Sequence, residues 1–243
     1  MLANAAGGTP IEVLYEDNHL LVVVKPPGIP SQEDESGDPD MLTLLKADLK
    51  VRHNKPGNVF LGLVHRLDRP VGGAMVFAKT SKAASRLSDS VRTRSFGKLY
   101  LAVVHGQPPA ARANLKHYLH KDARRNIVTV YDTPAADAKE ALLEYRTVSR
   151  SGGLSLVAVE LHTGRPHQIR AQLAHIGCPL AGDSKYGAGS GPKTDIALWS
   201  TLLSIPHPVT KEWMTFRSIP PLSEPWSRWT EDELFAAGTP SNK

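Results

Sequence analysis

Cysteine is nearly missing from this chain: Cys178 stands alone, which excludes an internal disulfide and any zinc site built from several thiolates. Aromatic residues are sparse at 6%. Apolar runs are short, Leu20-Leu21-Val22-Val23-Val24 among them, and none approaches the length a helix needs to cross a bilayer. The opening Met1-Leu2-Ala3-Asn4-Ala5-Ala6-Gly7-Gly8 has neither the charged nor the apolar block of a secretory signal, so a reducing cytoplasm is the expected location. Against these absences stand 243 residues with 41% hydrophobic and 22% charged content. That balance is globular, and the length can bury a substantial core.

The net charge of +5 is modest but unevenly spread. Residues 1–64 carry a net −4, residues 65–125 a net +10 and residues 126–243 a net −1. A basic block of this kind suits a polyanion, because each neutralised phosphate releases condensed counterions; a solvated cationic face is the plainer alternative. Within the block, Arg92, Arg94 and Lys98 surround a helix-to-strand junction that leads into Tyr100, where a phosphate backbone passing the pocket would meet them.

Residues 1–10 are small and polar and are expected to fray. The β-branched run at 20–24 predicts a strand stopped by Lys25-Pro26-Pro27-Gly28, followed by an acidic loop over 31–40 and a short helix around 41–49. Strands at 59–64 and 74–78 bracket the loop from His65 to Gly73. Ala84, Leu87 and Val91 recur at helical spacing behind a cap at Thr80 or Ser81, and Gly97 is the expected stop before a strand at 98–104. A strand at 154–161 turns through Thr163-Gly164-Arg165-Pro166 into a helix whose stripe is Ile169, Leu173 and Ile176 and whose end is Gly177. Prolines in the last quarter predict short strands and loops. The expected organisation is one α+β domain over 11–230 with a tail at 231–243.

Two clusters can carry chemistry. In His65-Arg66-Leu67-Asp68-Arg69 one carboxylate sits among three potential cations, an arrangement that favours its ionised form and equips it as nucleophile or base; a surface ion-pair cluster is the bland alternative. In Thr163-Gly164-Arg165-Pro166-His167-Gln168-Ile169-Arg170 the spacing puts His167 and Arg170 on one helix face beside the apolar stripe. A guanidinium at the core edge needs a partner and can offer a fork of donors to a carboxylate or phosphate. The alternative is a snorkelling arginine on an ordinary helix.

With their flanks, these clusters resemble a known family. Tyr15-Glu16-Asp17, the run from Leu20 through Gly28, Leu63-Val64-His65-Arg66-Leu67-Asp68 with Ala78-Lys79-Thr80, the stretch Lys98-Leu99-Tyr100-Leu101-Ala102-Val103-Val104-His105-Gly106, the Thr163 to Arg170 motif and Gly182-Asp183-Ser184-Lys185-Tyr186-Gly187 are similar, in order, to the RluA-type RNA pseudouridine synthases. The resemblance runs from about residue 11 to 220. It implies an α+β pseudouridine synthase fold: a mixed, largely antiparallel sheet with flanking helices and a central active-site cleft. It implies isomerisation of uridines in ribosomal or transfer RNA without cofactor or metal, by a chain expected to be monomeric. Asp68 would be the catalytic aspartate, Arg170 the arginine that pairs with it, and Tyr100 the tyrosine stacked near the target base. Arg66 would help displace the target nucleotide, and His65, Arg165 and His167 from the same motifs are expected at the RNA. Val71-Gly72-Gly73 stands where the family usually has Thr-Ser-Gly, and Cys178 where many members have histidine. The small RNA-binding module that many members carry ahead of the catalytic domain is not expected here.

Other patterns are weaker. The stretch from Gly187 to Thr194 imitates a phosphate loop, but Pro192 removes a donor amide and no apolar strand leads in. His162, His167 and His175 near Cys178 meet no familiar metal-ligand spacing, and Cys178, between Gly177 and Pro179, is expected to pack as a small hydrophobe. The rival functions are a non-catalytic RNA-binding protein on the same fold and a nucleosidase-type hydrolase, which would release free base.

Overall fold

The computed structural model describes residues 2–4, 10–187 and 195–240. They form two compact units, Met1–Phe96 with Leu202–Ser218, and Gly97–Thr201 with Ile219–Lys243. No described helix is long and apolar enough to cross a membrane.

The first unit is built on β2 (Pro10–Glu16), β3 (Leu20–Lys25) and β5 (Gly72–Ala78), paired antiparallel in that order. The two-residue β4 (Gly62–Leu63) pairs with the end of β5. Every residue of β5 is buried, as continuous apolar strands must be when both faces are covered. Leu20, Val22, Ala74 and Val76 pack with Ala83 and Leu87 of α2 (Ser81–Arg92) and with Leu203 and Ile205. Helix α1 (Met41–Arg52) buries Met41, Leu44, Leu45 and Leu49, the spacing of one apolar face. Asp40 caps it by accepting from the amides of Leu42 and Thr43, and Thr80 caps α2 by accepting from Ala83.

The second unit is an antiparallel array whose neighbouring strands are not all consecutive in the chain. Strand β6 (Gly97–His105) pairs antiparallel with β10 (Leu154–Leu161), β10 with β9 (Lys139–Ser151), β9 with β7 (Arg112–Asp122), and β7 with β8 (Ile127–Tyr131). Helix α3 (Gln168–His175) lies against β7 and β8. Strand β11 (Leu198–Pro206) contributes residues to both units and pairs with β12 (Trp213–Arg217). Helices on a mixed sheet make this an α+β fold, as expected.

Three expectations need correction. Within 1–10, Leu2–Asn4 forms strand β1, paired with β2, because β2 is an edge whose amides need partners. Helix α2 ends at Arg92 rather than Gly97, since Arg94 adopts a left-handed φ of 59° that a helix cannot continue. The 231–243 tail contains helix α4 (Glu231–Ala237), which buries Leu234 and Ala237 behind a reciprocal cap between Thr230 and Glu233. The phosphate-loop lookalike opens at Gly187, whose amide closes a turn on the Asp183 carbonyl; its remainder lies outside the described residues.

Glu16, at the end of β2, meets two cations and an imidazole of the first unit at once: Arg52 at 2.8 Å, Lys79 at 2.7 Å and His53 at 2.7 Å. Burial alone would raise its pKa, but Lys79, Arg52 and His53 together hold it at about 2, against 4.5 in a free side chain. The folded value lies below the unfolded one, so the stabilisation is complete above pH 4.5 and is lost as pH falls toward 2. Glu16→Gln is therefore expected to be less stable than wild type in urea denaturation at pH 7, with the gap closing across that window.

Candidate active site

The loop between β4 and β5 is extended, and its side chains alternate. His65 and Leu67 turn inward, Arg66 and Arg69 are exposed, and Asp68 is half-buried. His65, expected at the RNA, is instead packed against Phe96 with its Nε2 accepting from the amide of Val76 at 3.1 Å. Its place is in the core beneath the loop. Arg69 is held by the acidic loop, donating to the Gly28 carbonyl and the Ser36 hydroxyl and pairing with Asp38. Of the three cations seen in sequence around Asp68, Arg66 is thus the exposed one not given to the core or the acidic loop.

A fourth cation comes from Lys25, which is fully buried at the end of β3. Its ammonium donates to the carbonyls of Pro26 at 2.9 Å, Arg69 at 3.0 Å and Val71 at 2.8 Å. All three ammonium hydrogens are used, which is what a buried charge requires. Burial pushes its pKa down to about 7, with Asp68 opposing that fall and Arg69 adding to it. The turn carrying Asp68 closes by a bond from the Val71 amide to the Asp68 carbonyl at 2.9 Å. It is pinned again where Ser31 donates to the Leu67 carbonyl and accepts from the Leu67 amide. Lys25 pairs in register with Gly73, whose φ of 115° only glycine adopts readily. That is the backbone reason for a glycine after Val71-Gly72.

The second unit holds Tyr100, Lys98, Arg165, His167 and Arg170. Tyr100, on β6 opposite Val159 of β10, is 5% exposed. Lys98, two residues earlier, is half-buried and its pKa is lowered by that burial; its ammonium lies 3.5 Å from where a Cβ on Gly164 would sit. It reaches the Thr163-Gly164 turn, whereas Arg92 and Arg94 are exposed in the first unit, Arg92 paired with Asp89. Arg165 donates to the Glu140 carbonyl at 2.8 Å. His167 begins α3 with a left-handed φ of 50° and meets the Tyr186 hydroxyl at 2.7 Å.

Arg170 is 5% exposed, deeper than the core edge expected from its spacing. Its Nε and Nη2 grip the two oxygens of Asp183 at 2.8 and 2.9 Å, a forked pairing. Asp183 also accepts from the amides of Lys185 and Tyr186. Burial would raise its pKa, but Arg170 and these amides lower it. The guanidinium lies over the Tyr186 ring at 5.2 Å, and the Tyr186 hydroxyl accepts from the amide of Val128. Asp183 was visible in sequence only as part of a motif; no spacing rule connects it to Arg170, thirteen residues earlier. Cys178 is buried with its thiol pKa raised by burial, an inert environment.

The sequence pattern of the RNA pseudouridylate synthase family matches residues 19–175, a span that includes the Asp68 turn, β6 and α3. The chain is 34% identical over 221 residues to an uncharacterised RNA pseudouridine synthase of Bacillus subtilis, YhcT, covering 83% of this chain and 66% of that protein. It is 35% identical over 180 residues to the ribosomal large subunit pseudouridine synthase D of Pseudomonas aeruginosa, covering 73% of this chain and 53% of the other. This chain therefore spans between about half and two thirds of the length of these relatives. In fold it is similar to human RNA pseudouridylate synthase domain containing 1, with a TM-score of 0.73, 23% identity, and 96% and 97% of the two chains covered. The chain belongs to the RNA pseudouridylate synthase family, and within it to the RluA type.

The Arg170–Asp183 pair gives a direct test of how the second unit is held. Asp183→Asn keeps the shape and removes the counter-charge of a buried guanidinium, so chemical denaturation is expected to show a loss of about 3 kcal/mol or more. An exposed pair would cost under about 1 kcal/mol.

Proposed function

We propose that the chain is an RNA pseudouridine synthase in which Asp68 is the catalytic carboxylate. The observation that carries this reading is the Asp68 turn: a half-buried carboxylate on a loop fixed from beneath by Lys25 and Ser31, with exposed Arg66 two residues before it. A catalytic group must be held by its surroundings, since small misplacements are costly. The reaction breaks the bond from ribose C1′ to uracil N1 and forms one from C1′ to C5; the proton on C5 is lost and N1 gains one. The target base must leave its stack before Asp68 can reach it. Arg66 fits a group that fills the vacated space, Tyr100 supplies an aromatic face for the base, and Arg170, already oriented by Asp183, orients Asp68. Arg92, Arg94 and Lys98 belong to the backbone track, with Lys98 acting beside the Thr163-Gly164 turn. The similarity to a ribosomal large subunit pseudouridine synthase of Pseudomonas favours ribosomal RNA as the substrate class.

The test uses bulk RNA carrying tritium at C5 of uridine. Wild-type protein is expected to release tritium to water without releasing uracil, and Asp68→Asn to do so at least about a thousandfold more slowly while still binding RNA. Release of free uracil would assign a nucleosidase instead, and RNA binding with neither product would assign a non-catalytic binding protein.

A further inference from the structure

A cluster at the opposite end of α3 from His167 is not used by the reaction proposed above. His117 of β7, Asp132 just beyond β8 and His175, the last residue of α3, bring one donor atom each to within 4.8 Å of the other two. Nε2 of His175 is 2.8 Å from Oδ1 of Asp132, and Nε2 of His117 is 3.7 Å from the same oxygen. The two imidazoles stand edge to face with centroids 5.0 Å apart. In a tetrahedral site with bonds of about 2.0–2.1 Å, donor atoms lie about 3.3 Å apart. The observed separations straddle that value, so shifts of well under a side-chain length would seat an ion. His175 and Asp132 are exposed while His117 is buried, leaving a fourth position open to water.

Gln172 lies behind His117 and sets its tautomer. It is fully buried, its Nε2 lies 2.9 Å from Nδ1 of His117, and its Oε1 has no hydrogen-bond partner among the described residues. A metal-binding imidazole that ligates through Nε2 carries its proton on Nδ1 and needs an acceptor there. Turning the Gln172 amide over places Oε1 at that position, at the cost of two long contacts, 3.4 and 3.5 Å, to the Ala141 and Leu115 carbonyls. The exchange fixes the tautomer that presents Nε2 but leaves the amide NH2 where the orphaned oxygen was, so it is favoured only when an ion occupies Nε2.

We propose that His117, Asp132 and His175 bind a divalent transition-metal ion of the zinc type, which fastens the C-terminal end of α3 to the β7–β8 hairpin. Two imidazoles and one carboxylate suit zinc, cobalt or nickel; calcium and magnesium want more oxygens than the site has.

The experiment is calorimetric titration of the tag-free full chain with zinc chloride near neutral pH, together with thermal unfolding in zinc, cobalt and magnesium. One equivalent of zinc is expected to bind and to raise the unfolding temperature, and cobalt to give a visible absorption band of tetrahedral type. His175→Ala and Asp132→Asn, both at exposed positions, are expected to weaken zinc binding at least about tenfold each and to abolish the cobalt band. His105→Ala, an exposed histidine outside the trio, is expected to leave both unchanged. Failure to saturate near one equivalent, zinc binding that survives in both ligand variants, or stabilisation by magnesium equal to that by zinc would overturn the proposal.

Discussion

The arrangement around Asp68 depends on a positive charge placed where water cannot reach it. The Lys25 ammonium, at the end of a strand with no exposed surface, would be intolerable there without three acceptors. The carbonyls of Pro26, Arg69 and Val71 are those acceptors. Two of them belong to the turn that carries Asp68, so the same bonds that solvate the lysine fix the path of the backbone. Ser31 and Gly28 then lock the flanks of that turn, and Arg69 is drawn to the acidic loop. A segment rich in polar groups thereby becomes as rigid as a strand end.

The second unit solves a related problem with a pair rather than a lone ion. Arg170 is buried, and Asp183 meets it with two oxygens while taking two backbone amides of its own turn. Tyr186 extends the network to His167 and to β8. The N-terminal end of α3 is thus tied by hydrogen bonds among protein groups. The proposed metal trio would tie its C-terminal end.

Much of this was legible in sequence because it rests on periodicity and caps. The strand at 154–161, a cap at Thr80 or Ser81, the Gly177 stop and the place of Asp68 in a loop between two strands all follow from local pattern. What was not legible depends on partners distant in the chain. Lys25 lies in the run from Leu20 through Gly28, but nothing local says that it turns inward to residues 44 and 46 positions away. His65 looked like a surface cation, and only the alternation of an extended loop fitted against Phe96 shows it in the core. The same holds for His175, which neighbouring histidines in sequence linked to Cys178, while folding brings it to His117 and Asp132. The hairpin strands between 112 and 151 and helix α4 carried no reading in sequence. They complete the second unit, where β7 and the turn after β8 also supply two of the three metal-trio residues.

The buried charge is the claim to test first. Burial disfavours the ammonium, so between pH 7 and its ordinary 10.5 the unfolded chain holds a proton that the folded chain has released, and this group's contribution to stability rises with pH. Nuclear magnetic resonance of the Lys25 side chain, assigned by comparison with Lys25→Met, reports the titration without reference to activity. A midpoint near 7 is the expected result. A midpoint near 10.5 would mean that the site does not disfavour the ammonium relative to water, and would contradict the account that burial governs Lys25.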